Sequence, residues 1–210
     1  MGVGRKYNGK LLVVGRATNG WANGFSKDNL EDCRRLSDSF IPTIASENLD
    51  WVTQHWGATD KYNTNKSAFW RVSRMLARRV ASDSEDCIDH ICWSNLYKVA
   101  PDGGNPSSRL MTVQFERCVD VLRSEIESSK AQNVIFLTSY WWARPFLDRL
   151  NVSNQLDSAD YNFVEFASST GGVNYVVGQH PQGKPELPHC DELVNALNCL
   201  EDNARTVTKH

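Results

Sequence analysis

The chain has 210 residues, 40% of them hydrophobic and 23% charged, with a formal net charge of −2. Those values describe one ordinary globular domain over residues 1–210, long enough to bury a full core without staples. They exclude a domain-wide basic surface, so any nucleic-acid site has to be a local patch. The six cysteines (Cys33, Cys87, Cys92, Cys118, Cys190 and Cys199) include no C-x-x-C pair, which argues against a zinc ribbon or a compact iron–sulfur ligand set. No stretch approaches the ~20 apolar residues of a membrane span. The polar opening segment lacks a secretory pattern, so a reduced, cytoplasmic protein with mostly buried thiols is expected.

In chain order, the first element is an apolar run, Leu11 to Val14, ending at Gly15. The segment from Asn19 to Asn65 is irregular and rich in polar and aromatic residues, with a candidate helix over Asp28 to Phe40. A loop of that length in a compact domain is usually functional. Ser67 to Ala81 follows as a helix, with Phe69, Val72, Leu76 and Val80 on roughly one face. A second apolar run, Ile91 to Ser94, ends at Asn95, and a helix over Arg109 to Lys130 comes next. A third run, Val134 to Leu137, leads into a shorter helix over Trp141 to Leu150. Asn162 to Ala167 suggests a hairpin strand before Gly171 and Gly172, and a fourth run, Tyr175 to Gly178, ends at His180. The last helix is expected over Asp191 to Leu200, with a frayed polar tail beyond Glu201. Short apolar runs bounded by turn residues fit strands buried on both faces. Their alternation with helices predicts an α/β three-layer sandwich around a central, mainly parallel four-stranded sheet.

In such sheets ligands bind beyond the carboxyl ends of the strands. The residues there are Gly15 to Trp21, Asn95 to Pro106, Ser139 to Trp142 and His180 to Pro188. Three of these regions carry a resemblance. The motifs VVGRATNGW (Val13 to Trp21), ICWSNLY (Ile91 to Tyr97) and VVGQHPQGK (Val176 to Lys184) resemble, in order and spacing, those of the uracil-DNA glycosylase superfamily. The helix beginning SAFW at Ser67 resembles one in its mismatch-specific members.

The resemblance implies a monofunctional glycosylase that flips one base out of DNA and leaves an abasic site. Asn95 would read the base's Watson–Crick edge, since a carboxamide offers both donor and acceptor. His180 would donate to a base carbonyl as negative charge develops on the leaving group. Gly15, Arg16 and Ala17 would line the substrate site. Trp21 or Phe25 would stack on the base, although core packing explains either ring equally well. Lys98, Ser107, Gly183 and Lys184 are expected DNA contacts.

The first loop departs from the family. Ala17 stands where an acidic or amide residue often holds the attacking water. Asn19 could hold that water, or could serve as an Asn-Gly turn residue. The altered loop opens the substrate question: uracil is the default, and a modified or glycosylated pyrimidine, met in defence against phage DNA, is the alternative. No metal or organic cofactor is called for, and a monomer acting on DNA is expected. Two rival readings stay open: a non-catalytic DNA-binding module, and a hydrolase of free nucleosides or nucleotides. An Arg71, Arg74 and Arg78 stripe could meet phosphates or simply face solvent.

Overall fold

A computed structural model describes residues 1–17, 31, 34–35, 47–101, 104–155 and 160–207. The described strands are β1 (Gly2–Val3), β2 (Leu11–Ala17), β3 (Glu47–Asn48), β4 (Cys92–Tyr97), β5 (Asn133–Leu137), β6 (Val164–Thr170) and β7 (Val173–Gly178). The main helices are α1 (Asp50–Gln54), α2 (Ala68–Leu76), α3 (Ser108–Ser129), α4 (Tyr140–Arg149) and α5 (Glu186–Val207). The sheet runs in the order β3-β1-β4-β2-β5-β7-β6.

The four expected strands lie next to one another at its centre, in parallel: β4 with β2, β2 with β5, and β5 with β7. The expectation of a four-stranded sheet is corrected in its extent. The hairpin strand β6 adds antiparallel on β7, and β1 adds antiparallel on β4, with β3 parallel beyond it. The result is a mixed sheet of seven strands among the described residues. Two-residue strands such as β1 and β3 have no room for a period, which is why pattern reading passes over them.

Alternation along the strands divides the core in two. Leu12, Val14, Val134, Phe136 and Val177 face one side, against Leu122 and Ile126 of α3 and Trp142 and Phe146 of α4. Leu11, Val13, Ile135, Leu137 and Val176 face the other, against Trp70, Val72 and Leu76 of α2 and Leu193 and Leu197 of α5. Fully burying one Leu or Phe side chain is worth roughly 1.5–3 kcal/mol, so both layers contribute heavily to stability.

Element ends shift by a few residues, with β2 running on to Ala17 and β4 to Tyr97 past the expected stops at Val14 and Ser94, and the last helix departs most. The last helix starts at Glu186 rather than Asp191, with Pro188 in its first turn, where a missing N–H costs no helix hydrogen bond. It then runs to Val207, so most of the expected frayed tail is helical. Of the Asp28 to Phe40 candidate, only residues 31, 34 and 35 are described, all helical. Among the described residues no helix is long and apolar enough to cross a membrane.

Candidate functional site

The strand alternation decides which side chains reach the carboxyl edge of the sheet on the α2 side. Gly15 pairs with Asn95 in the β2–β4 register, and Trp93 lies two residues before Asn95 on the same face. Over them sits α2. A cavity of about 530 Å³ opens there, lined by Gly15, Arg16, Ala17, Asn95 and His180 among the expected site residues. Pockets of this size hold whole small-molecule ligands.

Asn95 is the most informative residue in the lining. It is 5% exposed, its carboxamide takes no hydrogen bond among the described residues, and its polar atoms are not among those sealed from solvent but open onto the cavity. Gly15 permits this arrangement. A Cβ at Gly15 would stand 2.4 Å from Asn95 Oδ1 and 3.2 Å from the Phe69 ring, so any side chain there would displace the amide. The wall around it is aromatic. Phe69 and Trp70 meet edge to face at 5.1 Å, and Trp70 lies 5.3 Å from Trp51 and 5.3 Å from Trp93, centroid to centroid. Trp93 lines the cavity, and its indole N–H has no partner among the described residues. Glu47, His55 and Tyr62 complete the lining beyond Trp51 and Trp93.

His180 enters from the other end of the cavity. Its Nδ1 accepts from the Gln182 backbone N–H at 3.3 Å, which leaves the proton of the neutral ring on Nε2. Burial, with the nearby Arg16 charge and then His189, pulls its pKa down to about 4. The imidazole is therefore neutral near pH 7, and is an Nε2–H donor. Ser139 holds this end together. Its hydroxyl oxygen accepts from the His180 backbone N–H at 3.0 Å and from Arg16 Nη2 at 3.3 Å. Ser139 has φ 71° and ψ 149°, a region that side-chain-bearing residues rarely enter and that costs of order 1–3 kcal/mol. Arg16 also donates through Nε to Thr138 O at 2.8 Å, and its guanidinium lies 5.5 Å from the centre of the Trp142 ring. Burial lowers the Arg16 pKa, with Glu165 opposing that shift.

Several expected contacts fall elsewhere. Lys98 is corrected as a DNA contact: its ammonium is buried, donating to Glu125 Oε2 at 2.7 Å and to Ser94 Oγ at 2.6 Å. Burial pushes the Glu125 carboxyl up, but the Lys98 and N-terminal charges together with the hydrogen bonds from Lys98 and Ser94 outweigh it and hold the carboxyl below its ordinary range. Ser107 is the N-cap of α3, accepting from Leu110 N, and does not line the cavity. Gly183 lies in an exposed turn with φ 75°. Lys184 is exposed and lines a neighbouring groove. Asn19, Trp21 and Phe25 lie outside the described residues. The Arg71 and Arg74 stripe is engaged internally: Arg71 pairs with Glu186, and Arg74 lies over the Trp56 ring. Cys92, Cys118 and Cys190 are pushed up by burial to about 12, 11 and 11, so these thiols are poor nucleophiles. Among the described residues no group of His, Cys, Asp and Glu is arranged to hold a metal ion.

Sequence reading missed Trp51, His55 and Tyr62, although the irregular segment holding them was legible as functional. Glu47 lies in that same irregular segment and Ser139 in a strand-end region expected to border the site, but neither was singled out. One is placed by a two-residue strand and the other is marked by a backbone angle.

The fold and cavity define an α/β protein with a ligand-sized site at the carboxyl edge of its parallel strands. No protein-family model matches the chain, and no curated protein matches it. The superfamily membership implied by the three motifs is therefore corrected: neither comparison returns a uracil-DNA glycosylase. Among solved structures, a domain of unknown function (DUF1537) from Bordetella bronchiseptica, a domain-swapped dimer with bound citrate, aligns at 15% identity and a TM-score of 0.38. The alignment covers 89% of this chain and 40% of that one, so the chain spans less than half of that protein's length.

Proposed function

We propose that this protein is a monofunctional DNA glycosylase, taking one extruded pyrimidine nucleotide into the cavity and hydrolysing its N-glycosidic bond. The observation that carries the reading is Asn95, a buried carboxamide with no partner among the described residues, set among aromatic rings on the lining that also holds a neutral His180. A base offers what this site lacks: a flat face for the rings and an edge of donors and acceptors for the amide. As the bond to the sugar stretches, electrons pass to the base. His180 Nε2–H then donates to the carbonyl oxygen where that charge gathers. Neutrality suits this task, because the donor keeps its proton and its position while the anion departs. Water captures the sugar cation and gives up a proton, which neutralises the departing base anion, so the products are a free base and an abasic site.

The distal lining favours a pyrimidine that carries a polar substituent. β3 and β7 are five strand steps apart, on the order of 20 Å at ~4.8 Å per step. Glu47 thus serves the end away from His180, together with Trp51, His55 and Tyr62. A carboxylate, an imidazole and a phenol around an indole suit a hydroxyl-bearing group, and bare uracil would leave them idle. Activity of this kind would act against DNA with modified bases, as in defence against phage.

The test is an alkaline-cleavage gel on three DNAs: uracil-containing, unmodified, and phage DNA with hypermodified cytosine. The expected result is alkali-labile breaks in the hypermodified DNA with wild type, formed about 10²–10³-fold more slowly with His180→Ala. Breaks only in uracil DNA would reject the substituted base. No breaks in any DNA would reject the glycosylase.

A further inference from the structure

A groove lies beside the cavity. It measures about 480 Å³ and shares Arg16 and His180 with the main cavity, adding Ser139, Trp141, Gln182 and Lys184. Trp141 is 64% exposed, which is unusual for the largest apolar side chain. Its ring is also backed: Trp141 and Trp142 lie 4.7 Å apart, centroid to centroid, and Trp142 is itself buried with Arg16 beside it. An indole held this way loses little freedom when a flat partner lands on it. Lys184 is exposed and has no ion pair among the described residues. Glu165 is the opposing charge in the groove. Its carboxylate is engaged, accepting from the Tyr140 backbone N–H at 2.6 Å with Arg16 nearby.

We propose that this groove binds the nucleotide next to the extruded one in the same DNA strand, with Trp141 stacking on its base and Lys184 meeting its phosphate. The proposal rests on the glycosylase reading, because only a strand whose base fills the cavity has to leave it past His180 and Arg16. The two spaces adjoin at Arg16 and His180, which line both. A ring and a cation side by side match the two faces of a nucleotide, and an exposed ring can stack only on a base free of its own neighbours. Single-stranded DNA is therefore the preferred form.

The experiment uses a fluorescently labelled oligothymidylate, which contains no target base, and reads anisotropy across a salt series. Trp141→Ala should weaken binding about tenfold and leave the salt slope unchanged. Trp141→Phe should restore most of that loss. Lys184→Gln should flatten the slope by about 0.7. Because Trp141 is largely exposed, an unchanged melting temperature is expected and controls for folding. Trp141→Ala binding within twofold of wild type, or no binding by wild type, would overturn the proposal. Base release is scored separately. Tight, Trp141-dependent binding without release leaves the groove standing and rejects the glycosylase. Release with Trp141-independent binding does the reverse.

Discussion

Ser94 and Asn95 are neighbours on one strand, yet their surroundings are opposite. Ser94 points into the α3 side, where its hydroxyl donates to Glu125 Oε2 at 2.6 Å and accepts from Lys98 Nζ at 2.6 Å. Gln114 extends that satisfied region, taking the Lys98 and Val99 backbone N–H groups on Oε1 and donating to Val99 O at 2.8 Å. Asn95 points the other way and finds no hydrogen bond among the described residues. Both side chains are buried, at 3% and 5% exposure, so burial does not separate them. Partnering does. A buried polar group that is fully paired holds the fold, whereas one left open beside a cavity waits for something from outside.

The largest expected effect lies on the closed face. Lys98→Ala leaves the buried Glu125 carboxylate with only the Met1 amino group at 3.2 Å and the Ser94 hydroxyl at 2.6 Å as partners, and should cost about 3 kcal/mol in a denaturant melt. On the open face the same kind of change should spare stability and remove activity. His180→Ala should lower kcat by about 10²–10³, and Asn95→Ala should cause a similar loss with a melting temperature near wild type. An Asn95→Ala protein that melts far below wild type would erase the distinction between the two faces. Gly15→Ala tests the join between them. Its methyl must displace Asn95 Oδ1, so activity should fall sharply for about 1–3 kcal/mol of stability.

A smaller effect concerns pH. His189 is fully buried, neither ring nitrogen is hydrogen-bonded among the described residues, and burial first of all lowers its pKa to about 4 from 6.5. Its folded pKa lies below its unfolded one, so the unfolded chain takes the proton first. Stability is then intact above pH ~6.5 and declines as pH falls toward 4, by on the order of 2–3 kcal/mol. His189→Phe should flatten that part of a pH–stability curve. His180, held at about 4, should contribute no loss of turnover between pH 8 and 5.5.

The central sheet was readable because each of its parallel strands is an apolar run longer than a turn and shorter than a helix. Leu11 to Val14 and Val134 to Leu137 could be little else. The edges were not readable, since Gly2–Val3 and Glu47–Asn48 become strands only by pairing. For the site, the carboxyl ends of the expected strands were enough to point to Gly15, Asn95 and His180, although β2 and β4 run on through the first two. It misjudged Lys98 because a lysine three residues past Asn95 reads as a surface cation until Glu125, far along the chain, is brought beneath it. The aromatic wall was hidden for the same reason. Trp51, Phe69 and Trp93 come from three segments and meet only in the folded chain.

The most direct test of the central claim is mass spectrometry of the small molecules released from phage DNA with hypermodified cytosine. Wild type should release the free modified base, with its substituent attached and no sugar-phosphate, and His180→Ala should release it about 10²–10³-fold more slowly. Intact DNA and no free base after prolonged incubation would contradict the account.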